Sequence, residues 1–117
     1  MTGLGHVALT VADRERSAAF YAAHFGFSTR VHEDDHLLIL SDADGSLLAL
    51  SEGPVPELPR TNHFGFRLAS AAEVHERRAA LRRAGVEEAE WQDDGMVRVQ
   101  AFDPDGYRVE LFAYGDG

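Results

Sequence analysis

Three side chains far apart in the chain, His6, His63 and Glu110, are of the types that hold a divalent metal: two imidazoles and one carboxylate. Each lies in a short apolar run in which side chains alternate between two faces. In the first, Val7, Leu9 and Val11 form the face expected to pack on a helix, leaving His6, Ala8 and Thr10 opposite. In the second, Phe64, Phe66 and Leu68 leave His63, Gly65 and Arg67. In the last, Tyr107, Val109 and Leu111 leave Arg108, Glu110 and Phe112. A carboxylate on a largely apolar strand is costly to bury unless a cation neutralises it. A divalent ion with two neutral imidazoles would do so, with Glu110 as ligand and catalytic carboxylate. His36 is expected to open a strand facing the same cleft, as a candidate acid or base. Arg67 and Arg108 share the ligand faces and could anchor a substrate carboxylate or enolate, or form structural ion pairs. Trp91 and Tyr107 are candidates for an aromatic pocket lining, with plain packing as the simpler role.

The elements that must position these groups follow from periodicity and punctuation. Strands are expected at His6–Val11, Phe27–His32, His36–Ser41, Ser46–Ser51, His63–Leu68, Val86–Gln92, Met96–Phe102 and Tyr107–Phe112. Asp13 is an N-cap for a helix whose stripe is Ala18, Tyr21, Ala22 and Phe25, and Gly26 sits where that helix would end left-handed. Ser70 and Glu73 have capping-box spacing and start a second helix with Val74, Ala80, Leu81 and Ala84 as apolar positions, ended by Gly85. The order repeats. His6 matches His63 at an offset of 57, Gly26 matches Gly85, and Asp42-Ala43-Asp44-Gly45 matches Asp103-Pro104-Asp105-Gly106. The second of these turns is read as structural, aiming the last strand and hence Glu110. Three of the four prolines fall between Glu52 and Arg60. The expected organisation is therefore a single domain over 1–117, with module one at 1–53, a linker at 54–60 and module two at 61–117.

Composition bounds the partners. An apolar fraction of 44% with 26% charged residues is an ordinary globular profile. The formal charge of −9 argues against nucleic acid or an anionic membrane surface. No stretch approaches the roughly 20 apolar residues of a membrane helix. With no cysteine, thiolate chemistry is excluded and a reducing, cytoplasmic setting is expected, with a small molecule as the partner.

The stretch Gly5-His6-Val7-Ala8-Leu9-Thr10-Val11-Ala12-Asp13, with Ser17-Ala18-Ala19-Phe20-Tyr21 and Phe25-Gly26-Phe27, resembles the opening module of the vicinal oxygen chelate superfamily. So does the closing Phe102-Asp103-Pro104-Asp105-Gly106-Tyr107-Arg108-Val109-Glu110-Leu111-Phe112. That superfamily includes glyoxalases, bleomycin-resistance proteins, extradiol dioxygenases and fosfomycin-resistance enzymes, and the likeness spans essentially the whole chain. It implies an α/β (α+β) fold of two β-α-β-β-β modules forming a curled mixed-sheet cleft, of the glyoxalase/bleomycin resistance/dihydroxybiphenyl dioxygenase type. It also implies a homodimer. Carried over position by position, the family's metal ligands fall on His6, Ala49, His63 and Glu110. Ala49 cannot ligate, so a two-histidine, one-carboxylate set with open positions remains, suited to one divalent metal: Fe, Mn, Zn, Ni or Co. The resemblance therefore implies a metal-dependent enzyme of glyoxalase or dioxygenase type that chelates a small substrate through oxygens. The alternative is a non-catalytic drug- or metabolite-binding protein of bleomycin-resistance type, against which the three retained ligands count. Ala8, where fosfomycin-resistance enzymes carry threonine, and the acidic Glu90-Trp91-Gln92-Asp93-Asp94-Gly95 stretch count against a phosphonate substrate.

Overall fold

The computed structural model describes residues 2–114. The element order is β1 (His6–Val11), α1 (Arg14–Phe25), β2 (Thr29–Glu33), β3 (Leu38–Ser41), β4 (Leu47–Glu52), β5 (His63–Arg67), α2 (Ala71–Arg83), β6 (Glu88–Asp94), β7 (Met96–Phe102) and β8 (Arg108–Tyr114). The chain divides into two compact units, Met1–Glu57 and Leu58–Gly117, and the division falls inside the proline-rich segment. Among the described residues no helix is long and apolar enough to cross a membrane.

Each unit is one four-stranded mixed sheet with one helix, in the order β1-β4-β3-β2 and β5-β8-β7-β6. In both, the first and last strands pair in parallel and the other two neighbours pair antiparallel. The repeat extends to a register shift at the same place: between Arg30 and His32 in one sheet, and between Glu88 and Glu90 in the other. A bulge of this kind carries one extra residue, so the residues on its two sides point to opposite faces. The Asp-x-Asp-Gly turns match as well. Oδ1 of Asp42 accepts the N–H groups of Asp44 and Ser46, and Oδ1 of Asp103 accepts those of Asp105 and Tyr107. These turns feed β4 and β8, the strands that carry Ala49 and Glu110.

In the first unit α1 covers Leu9, Val11, Leu38, Leu40, Leu48 and Leu50 with Ala18, Tyr21 and Phe25. Asp13 caps it by accepting from the N–H groups of Glu15 and Arg16 at 3.0 and 3.1 Å, and Gly26 ends it at φ 79°. In the second unit Val74 and Leu81 of α2 pack on Val97, Val99, Val109 and Leu111. Each branched or aromatic side chain buried this fully contributes about 1.5–3 kcal/mol. Ala80 and Ala84, expected on the buried stripe, are exposed, which leaves α2 a narrower apolar face than α1. Ser70 Oγ caps α2 by accepting the Glu73 N–H at 3.2 Å, and Glu73 Oε1 reaches back to the Ala69 N–H at 3.3 Å.

Five strand starts fall later than the alternation suggests, and each has a local cause. The Ser46 N–H is held by Asp42 Oδ1, so β4 begins at Leu47. Phe27 packs its ring on Tyr21 and is 2% exposed, so β2 begins at Thr29. The Val86 N–H closes α2 on the Leu81 carbonyl, so β6 begins at Glu88. The Tyr107 N–H is held by Asp103, so β8 begins at Arg108. His36 does not open β3. It lies in the β2–β3 turn, where Asp34 Oδ1 accepts the N–H groups of His36 and Leu37 at 2.8 and 2.9 Å.

An ion pair joins α2 to β6. Arg78 Nε and Nη2 donate to Glu88 Oε1 and Oε2 at 2.7 and 3.1 Å, holding the Glu88 carboxyl below its ordinary 4.5. A lowered folded-state pKa gives stability that is present above the unfolded value and lost as pH falls through the folded one. Glu88→Gln is therefore expected to cost about 1 kcal/mol at pH 7. The difference from wild type should shrink as pH drops below 4.5, which urea unfolding at several pH values would measure.

Candidate functional site

His63 opens β5 and Glu110 lies in the middle of β8, next to it in the sheet. The parallel register sets His63 opposite Arg108 and Gly65 opposite Glu110. The His63 ring is oriented by its own backbone: Nδ1 lies 2.9 Å from the carbonyl of Thr61. A carbonyl can only accept, so Nδ1 is the donor of that contact, and Nε2 is the ring nitrogen on the Glu110 side. That Nε2 is 3.7 Å from Glu110 Oε1. Glu110 is 7% exposed, and its Oε1 accepts from Gln100 Nε2 at 2.9 Å and from Arg98 Nη1 at 3.3 Å. Gly65 makes room for this carboxylate. A Cβ at position 65 would stand 2.8 Å from both the Cβ and the carbonyl oxygen of Glu110.

The pair borders a cavity of about 340 Å³ that is also lined by Arg60, Thr61, Glu90, Met96, Arg98 and Gln100. Glu90 gathers the cations of this wall. Its Oε1 accepts from Arg98 Nη2 at 2.9 Å, and its Oε2 is 3.4 Å from Arg108 Nη1 and 3.6 Å from Arg60 Nη2. The Arg98 bond, then the charges of Arg98, Arg60 and Arg108, hold the Glu90 carboxyl below its ordinary value. The wall therefore has two guanidiniums, with a third from Arg108 held on Glu90, against two carboxylates, one imidazole and one amide.

Metal-ligand distances of about 2.0–2.2 Å allow two donors on one cation to stand up to about 4.2 Å apart. The 3.7 Å between His63 Nε2 and Glu110 Oε1 is within that limit. An imidazole nitrogen beside a buried carboxylate is a donor set that fits a divalent ion. Among the described residues no three His, Cys, Asp or Glu side chains gather into a metal-binding group. The second unit contributes the pair. His6 belongs to the first unit, exposed at the start of β1, and the register that places Gly65 beside Glu110 places Ala8 beside Ala49 there.

The other expected site residues are spread more widely. Arg108 reaches the wall through Glu90 and also lies over the Phe102 ring at 5.1 Å. Arg67 is at the far end of β5, its guanidinium 4.8 Å over Tyr114, and does not line the cavity. Trp91 is paired with Val99 on the helix-covered face, with Arg78 at 4.0 Å over its ring and the His75 ring at 5.1 Å. Trp91 is therefore placed by packing against α2 and does not line this cavity. Tyr107 precedes β8 in the Asp103 turn and is not part of the cavity wall. His36 is exposed in its turn, away from any strand face. Sequence reasoning passed over Arg60, Glu90, Arg98 and Gln100. The signal for two of them was present: Arg98 and Gln100 interrupt Val97, Val99 and Ala101 at every second position of β7, a polar face on an otherwise apolar strand.

A profile of the Glyoxalase/Bleomycin resistance protein/Dioxygenase superfamily matches residues 3–111. A curated relative from Bacillus subtilis (strain 168), named "Probable trivalent organoarsenical cleaving enzyme", is 28% identical over 112 residues, spanning 92% of this chain and 77% of the relative. A solved structure titled as that of "a possible Glyoxalase from Bacillus cereus" is 25% identical, with TM-score 0.80 over 95% of this chain and 98% of its own. The fosfomycin resistance protein FosX from Listeria monocytogenes, solved with Mn(II) and sulfate, shares the fold at TM-score 0.81 and 23% identity, over 98% of this chain and 92% of its own.

Proposed function

Because the chain belongs to the Glyoxalase/Bleomycin resistance protein/Dioxygenase superfamily, we propose that it is a metal-dependent enzyme of glyoxalase or dioxygenase type whose centre is His6, His63 and Glu110. The observation that carries this reading is the His63–Glu110 pair: an imidazole Nε2 3.7 Å from a buried carboxylate oxygen, both lining one cavity. His6, from the first unit of the same chain or of a second copy in a homodimer, is the third ligand. When bound, one divalent ion (Fe, Mn, Zn, Ni or Co) supplies a Lewis acid toward adjacent substrate oxygens.

The chain's own groups do the rest. The Thr61 carbonyl fixes the His63 tautomer, which keeps Nε2 available as a donor. Gln100 holds one Glu110 oxygen in place. Arg98 above all, then Arg60 and Arg108, hold the Glu90 carboxyl below its ordinary value, which keeps this wall polar. This lining favours a small oxygen-rich cytoplasmic metabolite over an aromatic drug, because the one tryptophan faces α2. It also separates the chain from its arsenical-cleaving relative. Trivalent arsenic is a soft centre that seeks thiolates, and these 117 residues contain no cysteine.

Elemental analysis of anaerobically purified protein, followed by a panel of catechols and 2-oxoaldehydes, tests the reading. About one divalent ion per chain with turnover of either class is expected. Protein that stays metal-free after incubation with each of the five ions would contradict it.

A further inference from the structure

We propose that Arg98 selects a carboxylate-bearing ligand for this pocket: its guanidinium rests on Glu110 and passes to the ligand's anionic group when a metal takes the Glu110 oxygen. The inference rests on the metal-centre reading above and adds the substrate class to it. Arg98 divides its donors among three acceptors. Nη2 reaches Glu90 at 2.9 Å, Nε reaches Gln92 Oε1 at 3.1 Å, and Nη1 reaches Glu110 Oε1 at 3.3 Å. The bond to Glu110 is the longest, and it ends on the oxygen that faces His63 Nε2. Two of the three bonds fasten the guanidinium to β6, so Nη1 can leave Glu110 without the side chain losing its place.

Charge gives the exchange its direction. Among the arginines and glutamates joined here, Arg60, Arg98 and Arg108 exceed Glu90 and Glu110 by one positive charge. A divalent ion raises the excess to three in a partly desolvated space, where unpaired charge is costly. A cation on Glu110 Oε1 also competes with and repels Arg98 Nη1. Both strains are relieved by one anionic group that accepts from the freed Nη1. A planar carboxylate matches the guanidinium fork better than a neutral diol does. At 21% side-chain exposure, Arg98 lines the cavity and is screened enough for such a bond to count.

Calorimetric titration tests this through two readouts with opposite expected signs. Mn(II) is titrated into metal-free wild type, Arg98→Met and Arg98→Lys, and oxalate is then titrated into the Mn-loaded proteins. Without its cationic competitor, Arg98→Met should bind Mn(II) roughly tenfold more tightly than wild type. Its Mn-loaded form should bind oxalate roughly ten- to a hundredfold more weakly, the size of a lost charge-assisted bond. Arg98→Lys, which keeps the charge and loses the fork, should stay near wild type for Mn(II) and fall between the two for oxalate. A merely structural arginine would weaken both affinities together or move neither, and either result overturns the inference while leaving the metal centre standing. Absence of Mn(II) binding by wild type overturns both.

Discussion

Glu110→Gln is expected to weaken metal binding by more than about a hundredfold while leaving the metal-free fold nearly intact. Loss of an outer-shell partner of a metal ligand typically costs about 10–100-fold in affinity, so loss of a charged ligand itself should exceed that. The substitution removes one negative charge and almost no volume. The glutamine carbonyl can still accept from Arg98 Nη1 and Gln100 Nε2, which now meet Glu110 at 3.3 and 2.9 Å. The change in unfolding free energy without metal should therefore stay within about 1 kcal/mol. Mn(II) titration and urea unfolding of the same preparation separate the two effects. A large loss of stability would show instead that Glu110 serves mainly to join β7 and β8.

Gly65→Ala should damage both fold and site. The added methyl would stand 2.8 Å from Glu110 Cβ and 2.8 Å from the Glu110 carbonyl oxygen. Neither atom is the far end of a flexible side chain, so β5 and β8 must move apart, in the strand pair that bears both His63 and Glu110. Overpacking of this kind costs about 1–3 kcal/mol. At roughly 4 °C or more per kcal/mol for a domain of this size, the melting temperature should fall by about 4–12 °C or more. The metal affinity should fall as well, because His63 Nε2 and Glu110 Oε1 lose their 3.7 Å spacing. A Gly65→Ala protein with wild-type melting and metal affinity would mean the two strands tolerate a wider separation than their packing implies.

The architecture was legible because its signals are local and occur twice. Asp13 and Ser70 cap the helices, Gly26 and Gly85 follow them, and the paired Asp-x-Asp-Gly turns precede the last strand of each sheet. Strict alternation in β5 and β8 was enough to place His63 and Glu110 on one face. Alternation failed in β6, where the register shift between Glu88 and Glu90 reverses which residues face the helix. Glu88 consequently turns to Arg78 of α2, Glu90 turns to the cavity, and Trp91 turns back under the helix. Nothing in the residue types of Glu88-Ala89-Glu90-Trp91 announces that bulge. His36 was misplaced for a different reason: an Asx-type turn at Asp34 consumed the backbone N–H groups expected to start the strand. The arginine network was hidden because an arginine reads as a surface residue until its carboxylate partners are known. Arg98 has three such partners or acceptors, drawn from β6 and β8.

His6 and His63 sharing one cation with Glu110 is the claim from which the functional reading descends. Electron spin-echo spectroscopy of the Mn(II)-loaded protein addresses it most directly, since imidazole nitrogens bound to Mn(II) modulate the echo. Two imidazole nitrogens per Mn(II) are expected in wild type, with one remaining in His6→Ala and one in His63→Ala. A wild-type echo with a single nitrogen, unchanged by His6→Ala, would contradict the shared centre.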